Sequence, residues 1–214
     1  MEHFLQRHFF CAFTKEVMNE CYPFTCGKDD DMDEFFLKDV HKFSFYRFGK
    51  SYCFRSVENP KRIAAIFTVA NDSIRLFDLG SSKKNKMWKE FSNREKRLSR
   101  YPGVLIGRLA VSEEYAGQGV GSDVLRFIKE WFLEDDNKTG CRVAIVDAKN
   151  NEKVLDFYQK NDFKFLFAKE IDEDLYMIQP KDEEERKERI AHPRHLDTRL
   201  MFCDLLPKEL LLKH

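Results

Sequence analysis

With 214 residues, 43% of them hydrophobic and 35% charged, the chain is long enough for one substantial core and short for two. Lysine plus arginine and aspartate plus glutamate each number 37, so overall charge neither recruits a polyanion nor repels it, and nucleic-acid binding would need a local patch. No stretch reaches the roughly 18 uninterrupted apolar residues of a membrane span, and Glu2, Arg7 and His8 interrupt the apolar start, so a soluble cytoplasmic protein with no membrane partner is expected.

The six cysteines (Cys11, Cys21, Cys26, Cys53, Cys141, Cys203) lack close CxxC pairs, which predicts reduced thiols and no metal. Cys21 and Cys26 are either a partial ligand set or, more simply, semi-buried thiols. Aromatic residues from Phe4 to Phe13 read as exposed groups that could mediate a homodimer, or as part of a monomer core. Residues 31–43 place Met32, Phe35, Phe36, Val40 and Phe43 at helical spacing behind leading acids, predicting an amphipathic helix whose aromatic face packs on a sheet. Residues 50–55 and 61–71 are β-rich around a turn at Glu58, Asn59 and Pro60, the pattern of a hairpin.

Residues 81–100 are basic (Lys83, Lys84, Lys86, Lys89, Arg94, Lys96, Arg97, Arg100) and read as a surface helix or a long loop. The apolar run 104–111, holding Arg108, predicts a strand covered on both faces. Helical spacing returns over 119–134, a buried strand is expected at 143–148, a short helix at 151–161 and a strand at 163–167. Residues 181–190 look like a solvated helix and 198–205 like a closing strand, with 169–197 a charged insertion in a terminal hairpin. The order strand, helix, strand, helix, strand indicates an α/β class.

The chemistry concentrates where the strand ending Leu109, Ala110, Val111 runs through Ser112, Glu113, Glu114, Tyr115, Ala116 and Gly117 into Gln118, Gly119, Val120, Gly121 and Ser122. Glycines permit left-handed torsions and close backbone approach, and a helix start offers amides and a positive dipole end, a combination that binds phosphate oxygens. A tight structural connection is the plainer alternative. A dinucleotide-binding turn would open the first βα unit, and a phosphate loop of the Walker type needs a Lys-Ser/Thr pair that is absent here.

This segment resembles the GNAT superfamily of N-acetyltransferases, and the resemblance runs from about residue 24 to 167 and again over 198–205. The family's pyrophosphate motif reads glutamine or arginine, two residues, glycine, one residue, then glycine or alanine. Gly119 and Gly121 match its glycines, whereas its first position falls on Ala116, a role Gln118 cannot simply take over. The resemblance implies an α/β GNAT (acyl-CoA N-acyltransferase) fold, with a central mixed, mostly antiparallel sheet flanked by helices, forming a single domain over 1–214. It implies acetyl-CoA as co-substrate, held by Gln118, Gly119, Val120, Gly121 and Ser122, by the backbone of Leu109, Ala110 and Val111, and by Asn151. It also implies that Tyr158, on a helix with Phe157, protonates the departing thiolate; a phenol is protonated at neutral pH and suits that task. A core tyrosine is the alternative reading of the same residue. No general base is evident: Glu113 and Glu114 are close in sequence, and deprotonation by water serves equally.

A narrower likeness lies in Phe24, Thr25, Cys26 and Gly27 followed by Met32, Asp33, Glu34, Phe35 and Phe36, together with Arg108. These residues resemble the GNAT branch that includes toxins acetylating aminoacyl-tRNA. The expected acceptor is therefore an amine-bearing small molecule or macromolecule, with tRNA as an alternative, and a non-catalytic CoA-binding module as the reading outside enzymology that the Ala116 departure favours.

Overall fold

The computed structural model describes residues 2–27, 29–91 and 98–206; Arg94, Lys96 and Arg97 of the basic stretch lie outside the described residues. Seven strands form one sheet in the order β1-β2-β3-β4-β5-β7-β6, and helices flank it: β1 (His8–Ala12), β2 (Lys50–Ser56), β3 (Ile63–Arg75), β4 (Arg100–Val111), β5 (Val143–Lys149), β6 (Lys164–Phe165) and β7 (Thr198–Asp204). The pairs β1–β2, β2–β3, β5–β7 and β6–β7 are antiparallel, which gives the mostly antiparallel sheet expected of the fold class. Two compact units divide the chain, one made of Met1–Asn71 with Leu105–Glu134 and the other of Asp72–Val104 with Asp135–His214.

In the first unit the hairpin expected from sequence is β2 and β3, paired from Lys50 opposite Val69 to Arg55 opposite Ile63. Alternate side chains leave opposite faces of this ladder, as a pleat requires. On one face Phe10, Tyr52, Phe54 and Phe67 meet Phe127 and Trp131 of helix α6 (Val120–Trp131), with centroids 4.8 Å apart for Phe10–Phe127 and 4.9 Å for Tyr52–Trp131. On the other, Cys53, Ile63 and Ile66 share a core with Phe13, Phe24, Phe35, Phe36, Val40 and Ala110.

The helix expected over 31–43 comprises α3 (Asp30–Glu34), one wider turn at Phe35–Asp39, and α4 (Val40–Phe45). Asp29 caps it by accepting from the Met32 amide, and in the wide turn the Val40 amide reaches back five residues to the Phe35 carbonyl. The aromatic face packs on the sheet as anticipated. Two elements went unread in the sequence, α1 (Glu2–Arg7) before β1 and α2 (Lys15–Glu20) after it. They correct the picture of exposed N-terminal aromatics: Phe4 and Phe13 are 6% and 5% exposed and belong to the core, while Phe9 reaches solvent.

In the second unit α5 (Ser81–Glu90) resolves the choice left open for the basic stretch in favour of a helix. Helices α7 (Glu152–Lys160), α8 (Glu170–Ile178) and α9 (Glu183–Ala191) follow β5, with β6 between α7 and α8. The strand expected at 163–167 shrinks to the two residues of β6, with Phe163, Leu166 and Phe167 buried on either side of it. The closing hairpin is present, since β7 lies between β5 and β6, pairing with β5 from Val143 opposite Asp204 to Lys149 opposite Thr198.

The insertion is not simply a solvated face. Helix α9 is exposed as predicted, but α8 carries Glu173 and Asp174, both 3% exposed. Glu173 accepts from buried Arg199 at 2.9 Å and from the Leu200 amide; Asp174 takes Arg189 at 3.2 Å and Arg194 at 2.8 Å. Unpaired charge at such depth would be costly, so the Glu173 contacts fix the insertion to β7, and those of Asp174 tie α8 to α9 and to the segment after it.

Candidate active site

Strand β4 alternates at its end: Ala110 is buried in the core, while Leu109 and Val111 are half-buried. The Ser112 amide donates to the Ala64 carbonyl at 2.9 Å, and a short tight turn over Glu113–Tyr115 redirects the chain. Two residues then adopt left-handed backbone, Gly117 (φ 75°) and Gly119 (φ 81°), which a side chain at either place would resist. A Cβ at either glycine would meet nothing within 4 Å, so conformation alone calls for glycine and the space beside the turn is open.

Gly119 caps α6, its carbonyl accepting from the amides of Ser122 at 3.0 Å and Asp123 at 3.1 Å. The amides of Val120 and Gly121 belong to the first turn, where a helix has no carbonyl of its own to offer them. Buried Val120 anchors the turn, and half-buried Ser122 lies beside it. Open space, left-handed backbone and first-turn amides suit a pyrophosphate. Gln118 is exposed, and its side-chain amide is turned inward, donating to the Glu114 carbonyl at 2.9 Å. It braces the turn.

The loop holding Thr25, Cys26 and Gly27 abuts this turn. The Thr25 carbonyl accepts from the Glu113 amide at 3.0 Å, and Asp33 accepts from the Thr25 hydroxyl at 2.6 Å and the Cys26 amide at 2.8 Å. Partial burial works against ionisation of Asp33, but these hydrogen bonds outweigh it and hold the carboxyl below its usual value. The Glu113 carboxylate packs where Gly27 would carry a Cβ, only 2.7 Å from that position, and Glu114 pairs with Arg62 at 3.5 Å. Arg108 lies 3.9 Å over the Phe35 ring and 3.7 Å from Asp31.

In the second unit Asn151 caps α7, its side chain accepting from the Val154 amide at 3.0 Å, a local task that sequence reasoning had not given it. Tyr158 sits on the same helix, half-buried, with Phe157 and Phe163 edge-on at 5.1 and 5.4 Å. Its carbonyl accepts from the Asn161 and Phe163 amides, which fixes the helix end. Burial pushes the Tyr158 hydroxyl up to about 12, so it holds its proton throughout the neutral range.

Two residues near the insertion had no individual role assigned from the sequence. Lys83, read as one of several solvated bases, is half-buried with its ammonium 3.8 Å above the Phe167 ring, and burial brings it down to about 8. Asp147 of β5 is raised by burial and by the charge of Asp72. Neither had a signal in local spacing.

A family model described as an acetyltransferase (GNAT) domain matches residues 88–165, a span that includes β4, the glycine turn, Asn151 and Tyr158. That span is similar to a GNAT acetyltransferase domain. A curated relative, the S-alkylcysteine N-acetyltransferase of Bacillus subtilis (strain 168), is 29% identical over 83 residues; the match covers 39% of this chain and 46% of the relative, less than half its length. Among solved structures, AtaT complexed with acetyl-methionyl-tRNAfMet superposes with a TM-score of 0.64 at 18% identity, covering 96% of this chain and 99% of that one. A tyrosine-to-phenylalanine mutant of KacT gives 0.59 at 18% identity over 98% of this chain and 100% of its own. At such identities the likeness is one of fold. Among the described residues no group of three or more His, Cys, Asp or Glu could hold a metal, and no helix is long and apolar enough to cross a membrane.

Proposed function

We propose that this GNAT chain moves the acetyl group of acetyl-CoA to a primary amine by direct attack, as one N-acetyltransferase domain over residues 1–214 acting in the cytoplasm. The observation that carries the reading is the turn of Gly117 and Gly119 at the head of α6, open at both Cβ positions. Acetyl-CoA supplies an activated acyl carbon and a thiol leaving group. In this reading the amides at Gly119, Val120 and Gly121, with Ser122 beside them, receive the pyrophosphate, Gln118 braces the turn, and the backbone of Leu109, Ala110 and Val111 receives the pantetheine arm. Asn151 holds α7 in place, and Tyr158 delivers its hydroxyl proton to the leaving sulfur. Glu113 is packed against Gly27 and Glu114 is paired with Arg62, which favours water over either acid as the base for the amine.

For the acceptor, a small amine and the amine of an aminoacyl-tRNA stand as equal alternatives. The curated relative favours the first by its name, while AtaT, solved with acetyl-methionyl-tRNAfMet, favours the second. A homodimer is compatible with either acceptor. Calorimetric titration of acetyl-CoA tests the shared part. The parent chain should bind, and Gly119→Glu, which adds a negative charge and a strained side chain at φ 81°, should abolish binding while leaving the circular dichroism spectrum intact. Absence of binding by the parent chain would overturn the reading. Screening amines and charged tRNA with the parent then separates the acceptors.

A further inference from the structure

Strand β1 is an edge of the sheet, held through its antiparallel ladder with β2. In that ladder Cys11 stands directly opposite Cys53. The Phe13 amide donates to the Ser51 carbonyl at 2.9 Å and the Val57 amide to the Arg7 carbonyl at 2.8 Å, which places Cys11 and Cys53 at a hydrogen-bonded position of the ladder. Opposed Cα atoms there sit about 5.5 Å apart. A disulfide spans Cα separations of roughly 4.4–6.8 Å, so the backbone already meets its requirement. The sulfurs are 3.5 Å apart and both thiols are free. Cys53 is fully buried in the core beneath α3 and α4, whereas Cys11 is half-buried at its margin, within reach of a small solute.

We propose that Cys11 and Cys53 are a modification site, closing to a reversible disulfide when Cys11 is oxidised by a hydroperoxide. The Cys11 thiolate takes the terminal oxygen of the peroxide, the O–O bond breaks, and the peroxide leaves as alcohol or water once protonated. Cys11 is then a sulfenic acid. The Cys53 sulfur attacks the Cys11 sulfur, the S–O bond breaks, and the departing hydroxide takes the Cys53 proton and leaves as water. Two electrons pass from the two thiols to the peroxide. A dithiol reverses the step by exchange.

The surroundings favour this order of events. The hydrogen bond between the two thiols, outweighing burial and aided by Arg55, lowers Cys11, and the same contact raises Cys53. Of the other charged and titratable groups facing Cys11, Glu20 on α2 opposes the thiolate but is itself paired with Arg55 at 3.4 Å, and the thiol of Cys21 lies above its ordinary value through burial. Half-buried Cys11, which solvent reaches, is thus the attacking thiolate and fully buried Cys53 the resolving thiol.

The test uses the full chain, reduced, freed of thiol, treated with hydrogen peroxide at neutral pH, then alkylated under denaturing conditions and mapped by mass spectrometry. Two of the six thiols should be lost to one cross-link joining the Cys11 and Cys53 peptides, reversed by dithiothreitol, at a rate that rises with pH from below the ordinary thiol range. Cys11→Ser should keep its remaining thiols, and Cys21→Ser should cross-link like the parent. Six alkylatable thiols after treatment, a sulfinic Cys11 beside an intact Cys53, or a cross-link running to Cys21 would each overturn the proposal.

Discussion

Tyr158 illustrates what a single side chain can and cannot disclose. Its type and its place behind Asn151 were legible in the sequence through family resemblance, but its desolvation comes from rings such as Phe163 that only the folded chain brings to it. If the hydroxyl is the acid, Tyr158→Phe should lower kcat by about 10²- to 10⁴-fold and leave the Kd for acetyl-CoA nearly unchanged; steady-state kinetics beside calorimetry distinguish this from a packing role, in which kcat would hold. Burial raises the folded value above the free phenol's value of about 10. The stability that Tyr158 contributes is therefore complete below about 10 and lost as pH climbs through about 12. Transfer rates should show no loss ascribable to this phenol near pH 10, and the phenolate absorbance difference between parent and Tyr158→Phe should appear only near pH 12. Gln118 and Asn151 show the converse: residue type suggested ligand contacts, while Glu114 and the Val154 amide engage both side chains locally.

Among the elements, those with strong periodicity were readable: β2 with β3, β4, α6, β5 and α7 all appear close to where spacing puts them. The wide turn at Phe35–Asp39 was not, because one additional residue in a helix leaves no mark on a short apolar pattern. Nor were α1 and α2, six residues each, too brief for a period to accumulate. The loop before α3 depends on Gly27, whose φ of 69° and proximity to the Glu113 carboxylate leave no place for a side chain. Gly27→Ala should cost about 1–2 kcal/mol from backbone strain alone, read as a lower urea midpoint, with more if Glu113 cannot swing aside. An unaltered midpoint would mean that the loop relaxes freely.

At the scale of the whole molecule, composition registered the insertion as charged but could not say which charges are buried. Glu173 and Arg199, 26 residues apart, pair at 2.9 Å only once β7 is in place. Glu173→Ala would leave a buried guanidinium without its partner, and chemical denaturation should show a loss of about 3–5 kcal/mol, against little for Glu184→Ala on exposed α9. Equal losses for the two variants would mean that the pair carries no special weight.

The position of β7 also has a bearing on biosynthesis. It is the final described strand yet lies inside the sheet, and the two-residue β6 has it as a ladder partner. During translation, β5 waits for its antiparallel neighbour through the making of three helices, and the Glu173 carboxylate waits for Arg199. A ribosome stalled before Thr198 would therefore display an unpaired apolar β5 edge, the kind of surface that holding chaperones engage.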